Sequence, residues 1–86
     1  FSPFNSYGRP NDLKALINNL HKNEIASGLD IVINHTGPGG EKFFEPFGPY
    51  LTERFGTPWG KSFDFSLPAV REHIISNVLY WASEYH

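Results

Sequence analysis

The 86-residue sequence contains no cysteine and no methionine. Without cysteine there is neither a disulfide framework nor a thiolate metal site, which fits a cytosolic setting, and a cytoplasmic protein is expected. No apolar run approaches the roughly 20 residues that a membrane-spanning helix needs, so no membrane partner is expected. The seven Lys and Arg are dispersed among nine Asp and Glu, which leaves no basic block to meet a nucleic acid. Phe1 opens without an initiation or targeting sequence, and His86 ends a helical pattern without a Gly, Asn or Pro stop. These features together predict a piece of a longer chain.

Hydrophobic content of 40% and a net charge of −2 describe a globular chain and exclude a disordered one. Aromatic content is 16%, and it is unevenly placed. Between Thr36 and Pro68 lie eight of the fourteen aromatics, six of the eight Gly and five of the seven Pro. A loop of that length is uncommon in a compact domain unless it is a functional excursion.

On either side of it the chain is periodic. Leu13, Leu16, Ile17 and Leu20 recur at helical spacing, which predicts a helix over 11–22 with Asn11 or Asp12 as cap and Asn23 as left-handed stop. Val70, Ile74, Val78, Trp81 and Tyr85 mark a second helix over 68–85, with Pro68 in its first turn and Ser66 as candidate cap. The run Leu29-Asp30-Ile31-Val32-Ile33-Asn34-His35 reads as a strand over 25–34 of the kind buried on both faces of a parallel sheet, though Ser27-Gly28 weakens its first half. Asn34 and His35 fall where that strand must stop, because Thr36-Gly37-Pro38-Gly39-Gly40 cannot continue it. Polar side chains at the C-terminal end of a parallel strand point to where open α/β sheets and (β/α)8 barrels bind their ligands. The expected fold class is α/β.

The Asp30, Asn34, His35 pattern resembles the first signature region of the α-amylase superfamily, glycoside hydrolase family thirteen, at the end of the third barrel strand. Its flanks agree. Asn5-Ser6-Tyr7-Gly8 with Pro10, Asp12 and Leu13 resembles the lead into the second barrel helix, and Leu20-His21-Lys22 its end. Gly48-Pro49-Tyr50-Leu51-Thr52-Glu53-Arg54, Thr57-Pro58-Trp59-Gly60 and Phe63-Asp64-Phe65 look most like maltooligosyltrehalose trehalohydrolases and the related glycogen branching enzymes. Pro68-Ala69-Val70-Arg71-Glu72 and Tyr80-Trp81 resemble the third barrel helix. The resemblance implies a fragment of a (β/α)8 TIM barrel: a barrel segment over 1–35, a loop insertion like the family's B domain over 36–67, and barrel helix three over 68–86. Ser27-Gly28 and Asn23-Glu24 depart from the usual pattern.

The resemblance further implies a retaining enzyme acting on an α-glucan or maltooligosaccharide. It would hydrolyse α-1,4-glucosidic bonds of maltooligosyltrehalose, with branching enzyme as the alternative. No catalytic residue is expected in this chain, since the family's nucleophile, acid/base and second aspartate lie after later strands. The isolated chain is therefore expected to be inactive and to need the rest of the barrel to fold.

His35 is the implied contact to a glucose hydroxyl, by hydrogen-bond donation, in the subsite that holds the reacting sugar. Strand alternation puts Asn34 on the opposite face, orienting the loop or, as in many family members, offering an oxygen to calcium; no dense Asp/Asn cluster follows, so neither metal nor cofactor is expected. Asp30 shares Asn34's parity, and as a carboxylate buried in a strand it needs partners, which makes it a support to the site. Trp59 and Tyr50 offer flat faces with polar tips and complete the substrate-binding set. The loop's Phe residues are read as its own miniature core, and Glu41, Glu45 and Glu53 as solvated. A noncatalytic carbohydrate-binding or interaction piece is the alternative from another class.

Overall fold

Pro10 sets the start of the first helix, because its ring holds φ at a helical value and its missing N–H would have had no partner there. The computed structural model describes residues 1–86. They group into two units, Phe1–Asp30 with Ser76–His86, and Ile31–Ile75.

In the first unit, helix α1 covers Pro10–Lys22. Arg9 is extended at φ −89°, ψ 162°, and its backbone N–H donates to Asp12 Oδ2 at 2.7 Å. Asp12 therefore caps from inside the first turn, not from ahead of the helix, since Pro10 starts the helix before Asn11 and Asp12 can precede it. Gly8 sits at φ +116°, and a Cβ there would lie 3.0 Å from Asp12 Oδ2. At the other end Glu24 N–H bonds His21 O at 3.0 Å and Ile25 N–H bonds Leu20 O at 2.9 Å, the paired pattern of a Schellman stop. The left-handed residue is Glu24 at φ 58°, and Asn23 instead turns its side-chain amide onto Asn19 O at 2.7 Å. The stop thus falls one residue later than expected.

Helix α3, Pro68–Tyr85, matches the expected bounds. Ser66 is not its cap: its N–H and hydroxyl both donate to Asp64 Oδ1, at 3.0 and 2.6 Å. Within the first unit the end of α3 meets α1 through Lys14 Nζ and Glu84 Oε2 at 2.6 Å, with Lys14 also 5.6 Å from the Tyr85 ring centre. Both charged groups are half-exposed, so solvent screens the pair and it adds little stability. Tyr85 is buried, in contact with the Trp81 ring at 5.1 Å.

The second unit holds the structure that Gly and Pro conceal in the sequence. A short helix α2, Gly40–Phe44, runs into a 3-10 turn at Glu45–Phe47. Strand β1, Leu51–Thr57, pairs antiparallel with β2, Gly60–Phe63. Leu51 faces Phe63, Thr52 faces Ser62 and Thr57 faces Gly60, so β1 bulges between Thr52 and Thr57. Phe44 meets Phe63 edge to face at 5.5 Å and Phe43 lies 5.9 Å from Phe47. With Tyr50 and Val70 these rings line a cavity of about 390 Å³. Of the loop's Phe residues, Phe44 and Phe63 are half-buried while Phe43, Phe47, Phe55 and Phe65 are exposed, so the expected local aromatic core forms only in part.

The expected strand over 25–34 does not form as a strand. Residues 25–33 carry no ladder hydrogen bonds, and the run meets another strand only at its end. There His35 bridges antiparallel to Ser62, and Phe63 N–H donates to Asn34 O at 3.1 Å. A parallel strand takes its hydrogen bonds from neighbouring strands, and the one sheet of this chain is the β1–β2 hairpin. Leu29, Val32 and Ile33 are consequently exposed.

Candidate functional site

His35 sits where the apolar run reaches β2, and its ring is held from two directions. Asn34 Oδ1 lies 2.7 Å from His35 Nδ1. An amide oxygen can only accept, so Nδ1 carries the proton and, in the neutral ring, Nε2 is left with its lone pair. The Trp59 indole stacks on the imidazole at 4.8 Å between ring centres and 19° between planes. Three of the four residues read as sugar contacts, His35, Asn34 and Trp59, are thus in one place.

Asn34 reaches His35 although alternation put them on opposite faces. The chain bends at Asn34, and alternation applies only to a regular strand. Its oxygen being engaged by His35, Asn34 is a poor start for a calcium site that needs six to eight oxygens, and no group of three or more His, Cys, Asp or Glu side chains gathers to complete one.

Tyr50 is placed elsewhere, among the rings of the aromatic cavity and against Gly48, where a Cβ would come 2.9 Å from Tyr50 Cζ. Asp30 is exposed and takes part in no ion pair.

Trp59 owes its position to its turn. Thr57 Oγ1 donates to Gly60 O at 2.7 Å and accepts from Trp59 N–H at 3.2 Å. Glu41 Oε1 accepts Lys61 N–H at 2.7 Å. Glu41 is therefore half-buried and structural, not solvated as expected. Its partner could not be read from the sequence because the two residues are 20 positions apart. Gly60, at φ +127°, is required twice over, since a Cβ would fall 2.5 Å from the same Glu41 oxygen. Ser62, buried beneath the His35 bridge, carried no sequence signal either, being one polar residue among many in the loop.

Charge around the hairpin is partly compensated. Lys61 Nζ lies 3.2 Å from Glu45 and 4.0 Å from Glu53, and the Glu45 hydrogen bond and charge, helped by Glu41 and Glu53, hold its ammonium pKa above the usual value. The Ser66 hydroxyl, then the Ser66 N–H and the Arg54 charge, hold the Asp64 carboxyl below the usual range.

No protein-family model matches the chain. Its sequence is 44% identical over 85 residues to a malto-oligosyltrehalose trehalohydrolase of Saccharolobus solfataricus, covering 95% of this chain and 15% of that protein. It is 37% identical over 87 residues to the Deinococcus radiodurans trehalohydrolase, covering 100% of this chain and 14% of that protein. A 1,4-alpha-glucan branching enzyme GlgB of Picrophilus torridus is 38% identical over 93 residues, covering 100% and 13%. The chain therefore spans about a seventh of the length of these relatives. A Salmonella typhimurium crystal structure, described as a candidate alpha amylase, superposes with a TM-score of 0.87 at 40% identity, over 98% of this chain and 14% of that one. In sequence and in fold, this chain is related to the α-amylase family.

Proposed function

We propose that the chain is part of the catalytic barrel of a retaining, α-glucan-active enzyme. Its residues 25–35 would be the third barrel strand and its leading edge, 36–67 the overhanging insertion, and 68–86 the third barrel helix. Its part in the reaction is to bind sugar. The observation that carries this reading is the imidazole of His35, fixed by Asn34 on one ring nitrogen and by Trp59 on one face. A sugar hydroxyl is both donor and acceptor, so it can donate to Nε2; the resemblance has the imidazole donating instead, and the Asn34 bond reverses that role in the neutral ring. A contact that strengthens as the sugar ring flattens contributes to rate as well as to binding.

Retaining hydrolysis needs two carboxyl groups about 5 to 5.5 Å apart, one attacking and one protonating the leaving oxygen. No carboxylate is bonded to the His35, Asn34 and Trp59 group, so the full-length protein would supply both. The substrate we infer is maltooligosyltrehalose, cleaved at an α-1,4 bond to release trehalose. The trehalohydrolase relatives support it. The branching-enzyme relative supports a second reading, transfer of an α-1,4-glucan segment.

Incubating the full-length protein with maltotriosyltrehalose and, separately, with amylose tests both. Release of trehalose from the first supports the hydrolytic reading, and loss of amylose iodine colour with new branch points supports transfer. Absence of both products overturns an enzymatic role and leaves carbohydrate binding.

A further inference from the structure

A useful imidazole must be held in tautomer, in-plane rotation and plane. Asn34 sets the first two through one hydrogen bond, 2.7 Å long, between adjacent residues, but only while the ring keeps the plane in which Nδ1–H points at Oδ1. Nothing in the Asn34–His35 pair settles the third, because one hydrogen bond leaves a ring free to tilt about it. The face is held from the hairpin, by an indole 24 residues away in sequence, 4.8 Å off and nearly parallel.

That indole is itself fixed by backbone, not by burial. Trp59 is 56% exposed, yet its turn is tied by both Thr57 Oγ1 bonds and by Glu41 on Lys61 N–H. Strand β2 is in turn locked beside the imidazole by the His35–Ser62 bridge and by Phe63 N–H on Asn34 O. One face of the Trp59 indole is thus occupied by His35.

We propose that Trp59 is a positioning residue for His35: the hairpin turn carries the indole onto the imidazole and sets its plane, so that Asn34 can hold one tautomer. This rests on His35 being a sugar contact in the full-length protein.

The test uses that protein, with Trp59→Leu to remove the stack, Trp59→Phe to keep an aromatic face, His35→Ala, and the His35→Ala/Trp59→Leu pair. Thermal midpoints are measured alongside, and the exposure of Trp59 should keep both of its variants folded. The ring ¹⁵N shifts of His35 should show the Nδ1–H tautomer in the native protein and in Trp59→Phe, and a mixture with Nε2–H in Trp59→Leu. On maltotriosyltrehalose, Trp59→Leu should lower kcat/KM about 10- to 100-fold, the scale of a misplaced contact. Trp59→Phe should restore most of it, and in the His35→Ala background Trp59→Leu should add nothing.

Unchanged His35 ring shifts in Trp59→Leu overturn the proposal whatever the activity does. Losses that multiply in the double variant overturn it too, by showing that Trp59 touches substrate directly. If the ring responds while neither single variant alters turnover, Trp59 positions His35 as proposed and the sugar-contact reading is what fails.

Discussion

Two apolar stretches of similar length, α1 over Pro10–Lys22 and the run over 25–34, meet opposite ends in the same chain. The helix is complete. It closes its own hydrogen bonds, is capped by Asp12 at one end and stops in a Schellman turn at the other. The run has the more hydrophobic sequence and forms no ladder, and Ile25, Leu29, Val32 and Ile33 are left exposed. A helix takes its partners from within four residues, whereas a strand must take them from another segment.

Proline provides the strongest way to break this contrast. Ala15→Pro, inside α1, removes a hydrogen bond and clashes with the preceding turn, and should cost about 3 kcal/mol or more of helix stability. Val32→Pro should leave the circular dichroism of the 86-residue chain unchanged, since no ladder reaches Val32. In the full-length protein, where the run is proposed to be a barrel strand, Val32→Pro should be as damaging as Ala15→Pro. A full-length protein indifferent to Val32→Pro removes the barrel-strand reading.

Within the run, neighbours should separate stability from activity. Ile33→Ala in the full-length protein should cost about 2–5 kcal/mol of stability. His35→Ala should leave the thermal midpoint nearly in place and lower kcat/KM by roughly 30- to 1,000-fold, or about 2–4 kcal/mol of transition-state binding. Denaturant unfolding and steady-state kinetics on both variants check this. An unfolded but intrinsically active His35→Ala would make His35 a core residue.

A smaller effect sharpens the helix side. Glu24 occupies the left-handed position that a Schellman stop normally gives to Gly. Glu24→Gly should stabilise α1 by about 0.5–1 kcal/mol, because the side chain's clash with its own backbone disappears. A lower midpoint in thermal unfolding would mean that Glu24 makes a compensating contact.

The smallest effect concerns Asp64, whose carboxyl lies below the usual range chiefly because the Ser66 hydroxyl bonds it. Its folded pKa is lower than its unfolded one. Any stability it contributes is therefore present above about pH 4 and lost as pH falls through the folded value. Ser66→Ala should move the Asp64 titration, followed by carboxyl NMR, upward but not fully to the ordinary value, because the Ser66 N–H and the Arg54 charge remain. The bond joins residues two apart, so the shift should be the same in the isolated chain and in the full-length protein. A difference between the two would show that this turn also depends on distant contacts.

The two long helices were legible because their signals are local: apolar residues at helical spacing in both, a polar stop after the first, and Pro in the first turn of the second. The hairpin was not. Leu51-Thr52-Glu53-Arg54-Phe55-Gly56-Thr57 lies in a Gly- and Pro-rich stretch, and its bulge breaks the alternation that marks a strand. The site was legible in part. Asn34 and His35 announced themselves as polar groups closing an apolar run, and Trp59 as an amphipathic ring. Tyr50 looked equivalent to Trp59, but its ring went into the aromatic cavity, a choice between two similar side chains that composition cannot make.

Sequence alone determined the bounds of the two long helices to within a residue or two, the α-amylase-type pattern around His35, and the residue types available to the candidate site. Tertiary structure decided that Trp59 lies on His35, that Asn34 turns to the same ring, and that Glu41 anchors the turn between them. The reason is range: caps and periodicity act over three or four residues, whereas a contact between residues 35 and 59 exists only once a hairpin has chosen its register and brought β2 alongside.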